Sequence, residues 1–216
     1  ERFEAQACAR APLKKRLWAQ IVRAKLLRQA ETLRSACGDD AGLTAMARHV
    51  RSADAGNLES LAAQRYWPRL FGDPHFRRRR DGPGPNAILN YGYAVLRAAV
   101  ARALCASGLH PSLGLHHGNR YDPFCLANDM MEPFRPIVDS IAVSIVRERG
   151  MSAPLDRQSR IDILSVLSGR FYGNGETRTL FDWLSSCSAS LARIFEGSRE
   201  ALEIPELEYA APRKGS

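Results

Sequence analysis

Apolar positions recur along this 216-residue chain at steps of three and four, the period of a helix buried on one side. Over 12–36, Trp18, Val22, Leu26, Ala30 and Leu33 keep that step, and Leu17 and Ile21 widen the stripe. Pro12 suits the first helical turn and Gly38 a C-terminal stop. A shorter helix is expected over 42–53. Asn57 is placed as the N-cap of a helix over 58–71, which Pro68 should end or kink. Gly, Pro and Arg dominate 72–85, which reads as an exposed loop. A long helix follows over 86–106, with Ile88, Gly92, Val95, Ala99 and Ala103 on its apolar side and Gly108 closing it. The loop at 111–121 carries His116 and His117. Asp122-Pro123 then reads as an N-cap with proline at the first helical position, opening a helix towards Arg147 that Pro133 and Pro136 disturb. Helices are also expected over 156–168 and 178–202, with a glycine turn at 171–177 between them. Strand signals are nearly absent: there is no alternating β-branched run, and no Asn-Gly hairpin between such runs. No repeat of roughly 20–50 residues is visible. The pattern predicts an all-α fold, with a helical domain over 1–205 and a flexible tail over 206–216.

Composition changes this picture in one respect. Hydrophobic residues at 45% and charged residues at 25% are those of an ordinary globular chain, long enough for one sizeable core. The balance of 31 Lys+Arg against 23 Asp+Glu, a formal +8, favours a polyanionic partner, DNA or RNA before an anionic membrane. The charge is uneven. Residues 1–36 carry nine Lys/Arg and three Glu, Arg77, Arg78, Arg79 and Arg80 form an unbroken run, and Glu200, Glu203, Glu206 and Glu208 reverse the sign near the end. Five scattered cysteines without a C-x-x-C pair suit reduced thiols in a cytoplasmic protein. There is no signal peptide, and no apolar run approaches the ~20 residues that a membrane helix needs.

Candidate chemistry concentrates at 114–139. Asp129 and Glu132, three residues apart, fall on nearly one face of a helix, with His116 and His117 just upstream. Imidazole with carboxylates suits an oxygen-preferring divalent ion, Mn²⁺ or Mg²⁺; Zn²⁺ would call for cysteines at ligand spacing. The same acids would equally serve as the solvated face of an amphipathic helix. Glu59 lies in the first turn of its helix, where the helix dipole alone favours a carboxylate. Arg65 and Tyr66 beside it supply groups that contact phosphates and bases, whereas Trp67 reads as a packing residue. Asn86, Asn90 and Tyr91 could line a polar groove, and Asn86 is equally well an N-cap. Gly92 inside a helix costs about 1 kcal/mol against alanine, so close packing is expected there. The arginine run reads either as a solvated flexible loop or as a DNA contact.

Four ordered blocks carry a resemblance. They are K-R-L-W-A-Q-I-V-R-A-K at 15–25, E-S-L-A-A-Q-R-Y-W at 59–67 and N-A-I-L-N-Y-G-Y at 86–93. The fourth is G-L-H-P-S-L-G-L-H-H-G-N at 108–119, running into F-C-L-A-N-D-M-M-E-P-F-R-P at 124–136. Together they resemble the CRISPR-associated integrase (endonuclease) of spacer acquisition, the first-numbered Cas protein, in its type II branch. The resemblance covers about 12–140. It implies a metal site of Glu59, His117 and Glu132, with His117 preferred to His116 because fifteen residues separate it from Glu132 as in that branch, and with Asp129 as a supporting acid. Relatives carry glycine where this chain has Ser60, and often aspartate where it has Asn128; neither change removes a ligand. The resemblance implies insertion of prespacer DNA into a CRISPR array by strand transfer, double-stranded DNA as partner, a complex with the second-numbered Cas protein, and a homodimer built by a small N-terminal β domain that would precede Glu1. Arg65, Tyr66, Asn90, Tyr91 and the run Arg77, Arg78, Arg79 and Arg80 are the DNA-contact candidates. A non-catalytic DNA-binding scaffold is the alternative, and a hydrolase of small phosphoesters a further one, which should lack steep salt dependence.

Overall fold

A computed structural model describes residues 1–210 of the chain. Its centre is α2 (Ala11–Cys37), whose stripe of Leu17, Trp18, Ile21, Val22, Leu26, Ala30 and Leu33 is fully buried. Gly38 ends α2 at φ +81°, a left-handed cap that favours glycine. A short α1 (Arg2–Ala7), absent from the sequence expectation, precedes it. Six residues are too few for the hydrophobic period to register. Around α2 pack α3 (Leu43–Arg48), α4 (Leu58–Phe71), α6 (Cys125–Met131) and α7 (Arg135–Arg149). The second long helix, α5 (Pro85–Ala106), contacts α6, α7, α8 (Arg157–Leu167) and α9 (Leu180–Phe195). Leucine, isoleucine, valine and aromatic side chains from all these helices join one continuous core.

The all-α reading holds for the body of the domain, and several local expectations are corrected. Pro68 sits inside α4, near its end, without stopping it. Asn57 occupies the cap position of α4 in a left-handed conformation and makes no side-chain cap bond; instead Asp54 accepts from the amides of Leu58 and Glu59, both at 3.0 Å. Asn86 does not cap α5, because Gly84 does. The helix expected from Asp122-Pro123 begins later, at Cys125. Asp122 still braces its start, accepting from Phe124 N and from Asn128 Nδ2, each at 2.8 Å. It is then broken into α6, a 3₁₀ turn (Glu132–Phe134) and α7, since proline at 133 and again at 136 removes backbone donors. The last long helix is shorter than expected, opening on a Thr179–Asp182 capping box.

The glycine turn at 171–177 is a β-hairpin, contrary to the expectation of no strands. β1 (Arg170–Gly173) pairs antiparallel with β2 (Glu176–Thr179) across Asn174-Gly175, both at positive φ as such a turn requires. β3 (Glu208–Ala210) adds to the other side of β1, giving the order β2-β1-β3. Residues 208–210 therefore belong to the sheet and not to a flexible tail; 211–216 lie outside the described residues. Four-residue strands with only Phe171 and Gly173 turned inward leave too little alternation to read in the sequence.

Candidate active site

Two acids from distant elements meet at a lysine. Glu59, in the first turn of α4, and Glu132, in the 3₁₀ turn, each place a carboxylate oxygen 2.6 Å from Lys25 Nζ on α2. Lys25 occupies the buried side of its helix, between Val22 and Leu26 on one hand and Gln29 on the other. Glu132 is 5% exposed and also accepts from Arg135 Nε, on the first turn of α7, at 2.8 Å. Burial works against its charge, but Lys25 and Arg135 outweigh that and hold the Glu132 carboxyl below its ordinary range. Burial likewise disfavours the Lys25 ammonium, and the two glutamates reverse this, raising its pKa. Geometry leaves one gap: the Lys25 contact to Glu132 Oε2 is an ion pair without hydrogen-bond alignment, so that buried oxygen has no donor aimed at it.

Asp129, wholly buried on α6, organises the histidine loop. Its Oδ2 accepts from the amides of Leu115 (2.7 Å) and His116 (2.9 Å), and its Oδ1 accepts from His117 Nδ1 at 2.5 Å. Gly114 allows the close fit, since a Cβ there would lie 3.1 Å from Asp129 Oδ2 and would run into the His117 carbonyl. The two histidines thereby part company. His116 stacks flat on buried Trp18, with ring centroids 4.3 Å apart and planes at 3°, whereas His117 has a half-exposed side chain at the cavity edge. The hydrogen bond to Asp129 raises the His117 pKa, with the nearby carboxylate charges assisting against partial burial. That bond also fixes Nδ1 as the donor and leaves Nε2 as the free ring nitrogen.

Glu59, His117 and Glu132 all line one cavity of about 600 Å³. The same cavity is also lined by four arginines, Arg78, Arg80, Arg97 and Arg135, and by Asn90 and Tyr93. The arginine segment at 77–80 is tied to α5 rather than free. Arg78 donates to Asn86 Oδ1 (3.1 Å) and Asn90 Oδ1 (2.6 Å), Arg79 N donates to Asn86 Oδ1 (2.7 Å), and Asn86 and Asn90 donate back to the carbonyls of Arg77 (3.0 Å) and Arg80 (2.7 Å). The two asparagines thus act as clamps. Among the other DNA-contact candidates, Tyr66 is corrected to a core residue, fully buried and donating to Asp139 Oδ2 at 2.8 Å. Tyr91 does not line the cavity; it packs against the core with Arg160 over its ring at 5.8 Å. Arg65 is exposed on α4 and reaches back to the Ala41 carbonyl at 3.4 Å. Arg77 bonds the carbonyls of Pro74 and Phe76, both at 3.0 Å. Among the described residues, no three His, Cys, Asp or Glu side chains stand close enough to hold a metal ion together.

Behind the acids lies a second, buried polar network that the sequence did not reveal. Asp139 accepts from Tyr66 and Tyr93, and burial lifts its pKa from 3.8 to about 6 against the pull of those hydroxyls and of Arg135 and Lys25. Arg135 also lies over the Tyr93 ring at 4.4 Å. Lys25 carried a legible signal: with Trp18, Val22 and Gln29 it falls on the apolar side of α2, where a charge requires a buried partner.

The helical fold that carries this cavity has counterparts among solved structures. A casposase bound to integration product superposes with a TM-score of 0.77 at 21% identity, covering 100% of this chain and 70% of that one. A Cas1 protein from Thermotoga maritima gives 0.71 at 18% identity, covering 91% and 68%. At such identities the likeness establishes a shared fold. The family described as CRISPR associated protein Cas1 matches residues 2–159. The CRISPR-associated endonuclease Cas1 of Neisseria meningitidis serogroup C is 38% identical over 202 residues, 91% of this chain and 65% of the relative. A second relative, CRISPR-associated endonuclease Cas1 2 of Pyrobaculum aerophilum, is 29% identical over 138 residues, 62% of this chain and 46% of its own length. The chain belongs to the Cas1 family. It spans less than two thirds of the length of these curated relatives.

Proposed function

We propose that this chain carries the active site of a divalent-metal-dependent DNA endonuclease and integrase, which inserts prespacer DNA into a CRISPR array. The supporting observation is that Glu59, Glu132 and the Asp129-held His117 line one cavity together with four arginines. The donor types suit Mn²⁺ or Mg²⁺: two carboxylates, one with a buried oxygen without an aligned donor, and an imidazole with Nε2 free. The three side chains would have to draw together around the ion, since they do not stand at ligand distance in this structure. Glu59, His117 and Glu132 would hold the ion, in competition with the Lys25 ammonium that now joins the two acids. Once bound, such an ion supplies Lewis-acid activation of a phosphodiester and stabilises charge on the displaced oxygen.

The protein's own groups do the rest. Asp129 orients the imidazole and sets its tautomer. Arg135 fixes Glu132, and the clamped arginine segment holds DNA through its backbone phosphates. In strand transfer a 3′-hydroxyl oxygen forms a bond to phosphorus as the target strand's P–O bond breaks; in the hydrolytic direction water replaces the hydroxyl. Solved neighbours include a complex named Cas6-RT-Cas1–Cas2, with a TM-score of 0.76 at 18% identity over 94% of this chain, and the casposase with its DNA product. By analogy, the second-numbered Cas protein and double-stranded DNA are the proposed partners, and the protein is proposed to dimerise and to act in the cytoplasm.

The test is Mn²⁺-dependent cleavage or strand transfer on branched DNA, with the chain assembled with its Cas partner. Glu59→Ala, His117→Ala and Glu132→Ala should each abolish it, whereas His116→Ala should retain it. Full activity in His117→Ala refutes the assignment. The scaffold reading draws on the Lys25 pairing of the acids; it predicts DNA binding and integration support indifferent to all three substitutions.

A further inference from the structure

Four arginines line the cavity against three carboxylates (Glu59, Asp122 and Glu132), so its interior favours an anion despite the acids it contains. The arginines are not equivalent. Arg78 is bonded to two asparagines, and Arg135 to Glu132. Arg80 and Arg97 have neither kind of tie, and of these two only Arg97 is held against an aromatic ring. Among the described residues no carboxylate lies within ion-pair reach of it, and its guanidinium rests over the Phe124 ring, 5.0 Å from the centroid. It is half-buried, and it continues the cavity-lining positions of α5 that begin with Asn90 and run through Tyr93 and Ala94. Stacking on Phe124 restrains the planar group, and Phe124 is the cap residue of α6, the helix that carries Asp129 and leads into Glu132. The position of Arg97 relative to Asp129 and Glu132 is therefore fixed by one short stretch of chain.

We propose that Arg97 is the phosphate anchor of this cavity, binding a single phosphodiester of the DNA strand next to the one cleaved. A restrained guanidinium with free donors suits bidentate binding of two phosphate oxygens, where a lysine would offer only a point charge. The assignment rests on the nuclease reading of the same cavity and adds a specific contact to it.

The test measures binding of labelled branched DNA to the full chain across KCl concentrations, for the wild type, Arg97→Ala, Arg97→Gln and Arg97→Lys. One lost phosphate contact should flatten the log–log salt dependence by ~0.7–0.9 and weaken binding roughly tenfold in the alanine and glutamine variants. Arg97→Lys should recover the slope but only part of the affinity. A walk of single neutral methylphosphonates along the strand should find one position that weakens wild type but leaves Arg97→Ala unchanged. Mn²⁺ affinity by calorimetry should be the same in all four proteins, which separates this contact from the acidic site. An unchanged salt slope in both Arg97→Ala and Arg97→Gln, or no such methylphosphonate position, overturns the proposal. Should wild type show no metal-dependent cleavage while the slope still falls, the phosphate contact stands and the nuclease reading fails. Normal cleavage with an unaltered slope means the opposite: the nuclease reading stands and the Arg97 anchor fails.

Discussion

Replacing Lys25 by methionine should destabilise the fold and sharpen its affinity for a divalent ion. Methionine keeps the length of the stem and removes the ammonium, leaving Glu59 and the nearly buried Glu132 without their shared cation. Breaking one partner out of a buried ion pair costs about 3–5 kcal/mol, because the remaining charge stays desolvated. Arg135 still neutralises Glu132 at 2.8 Å, and Glu59 is 27% exposed and can be hydrated, so the lower end, about 3 kcal/mol, is expected. With a urea m-value of about 3 kcal/mol/M for a chain of this size, the unfolding midpoint should fall by about 1 M. Adding Mn²⁺ at about a hundredfold excess over the variant's Kd should then stabilise the variant by about 2.7 kcal/mol, and the same concentration should stabilise wild type less. A midpoint shift below about 0.3 M would show that Lys25 does not hold the acids together. Equal Mn²⁺ affinity in the two proteins would refute competition between ammonium and metal.

Two further outcomes concern the packing behind the site. Gly92→Ala should destabilise by about 1–3 kcal/mol despite alanine's better helix propensity, because its Cβ would overlap Val138 on α7; urea titration of Gly92→Ala/Val138→Ala should recover part of the loss, and simple additivity would refute the clash. Asp139 binds its proton more tightly folded than unfolded, so its contribution to stability is full below about pH 3.8 and declines as pH rises to about 6, by about 3 kcal/mol. Asp139→Asn should lack that decline when unfolding free energies at pH 4 and pH 7 are compared; parallel curves for the two proteins would refute it.

Helices were legible because an amphipathic stripe such as Trp18, Val22, Leu26 and Leu33 is a local pattern, set by which residues must leave water. The all-α class, the main helices and the close packing at Gly92 could be read that way, and motif order singled out Glu59, His117 and Glu132, which line one cavity. What failed to show had no local signature. The hairpin at 170–179 is held by a third strand some thirty residues later, and Asp54 caps α4 from across a turn. The sequence also left open which side chains of a motif face the cavity. Tyr66 and Tyr91 stood in the right blocks but point into packing, and the two neighbouring histidines were separated by a stacking Trp18 and a buried Asp129 from elsewhere in the chain. Charge pairing is likewise non-local: Lys25, Glu59 and Glu132 lie on three elements, and only the folded arrangement brings them together. Residue chemistry was therefore fixed along the chain, while its direction and neutralisation were decided by tertiary contact, since a buried charge answers to whichever group the fold sets beside it.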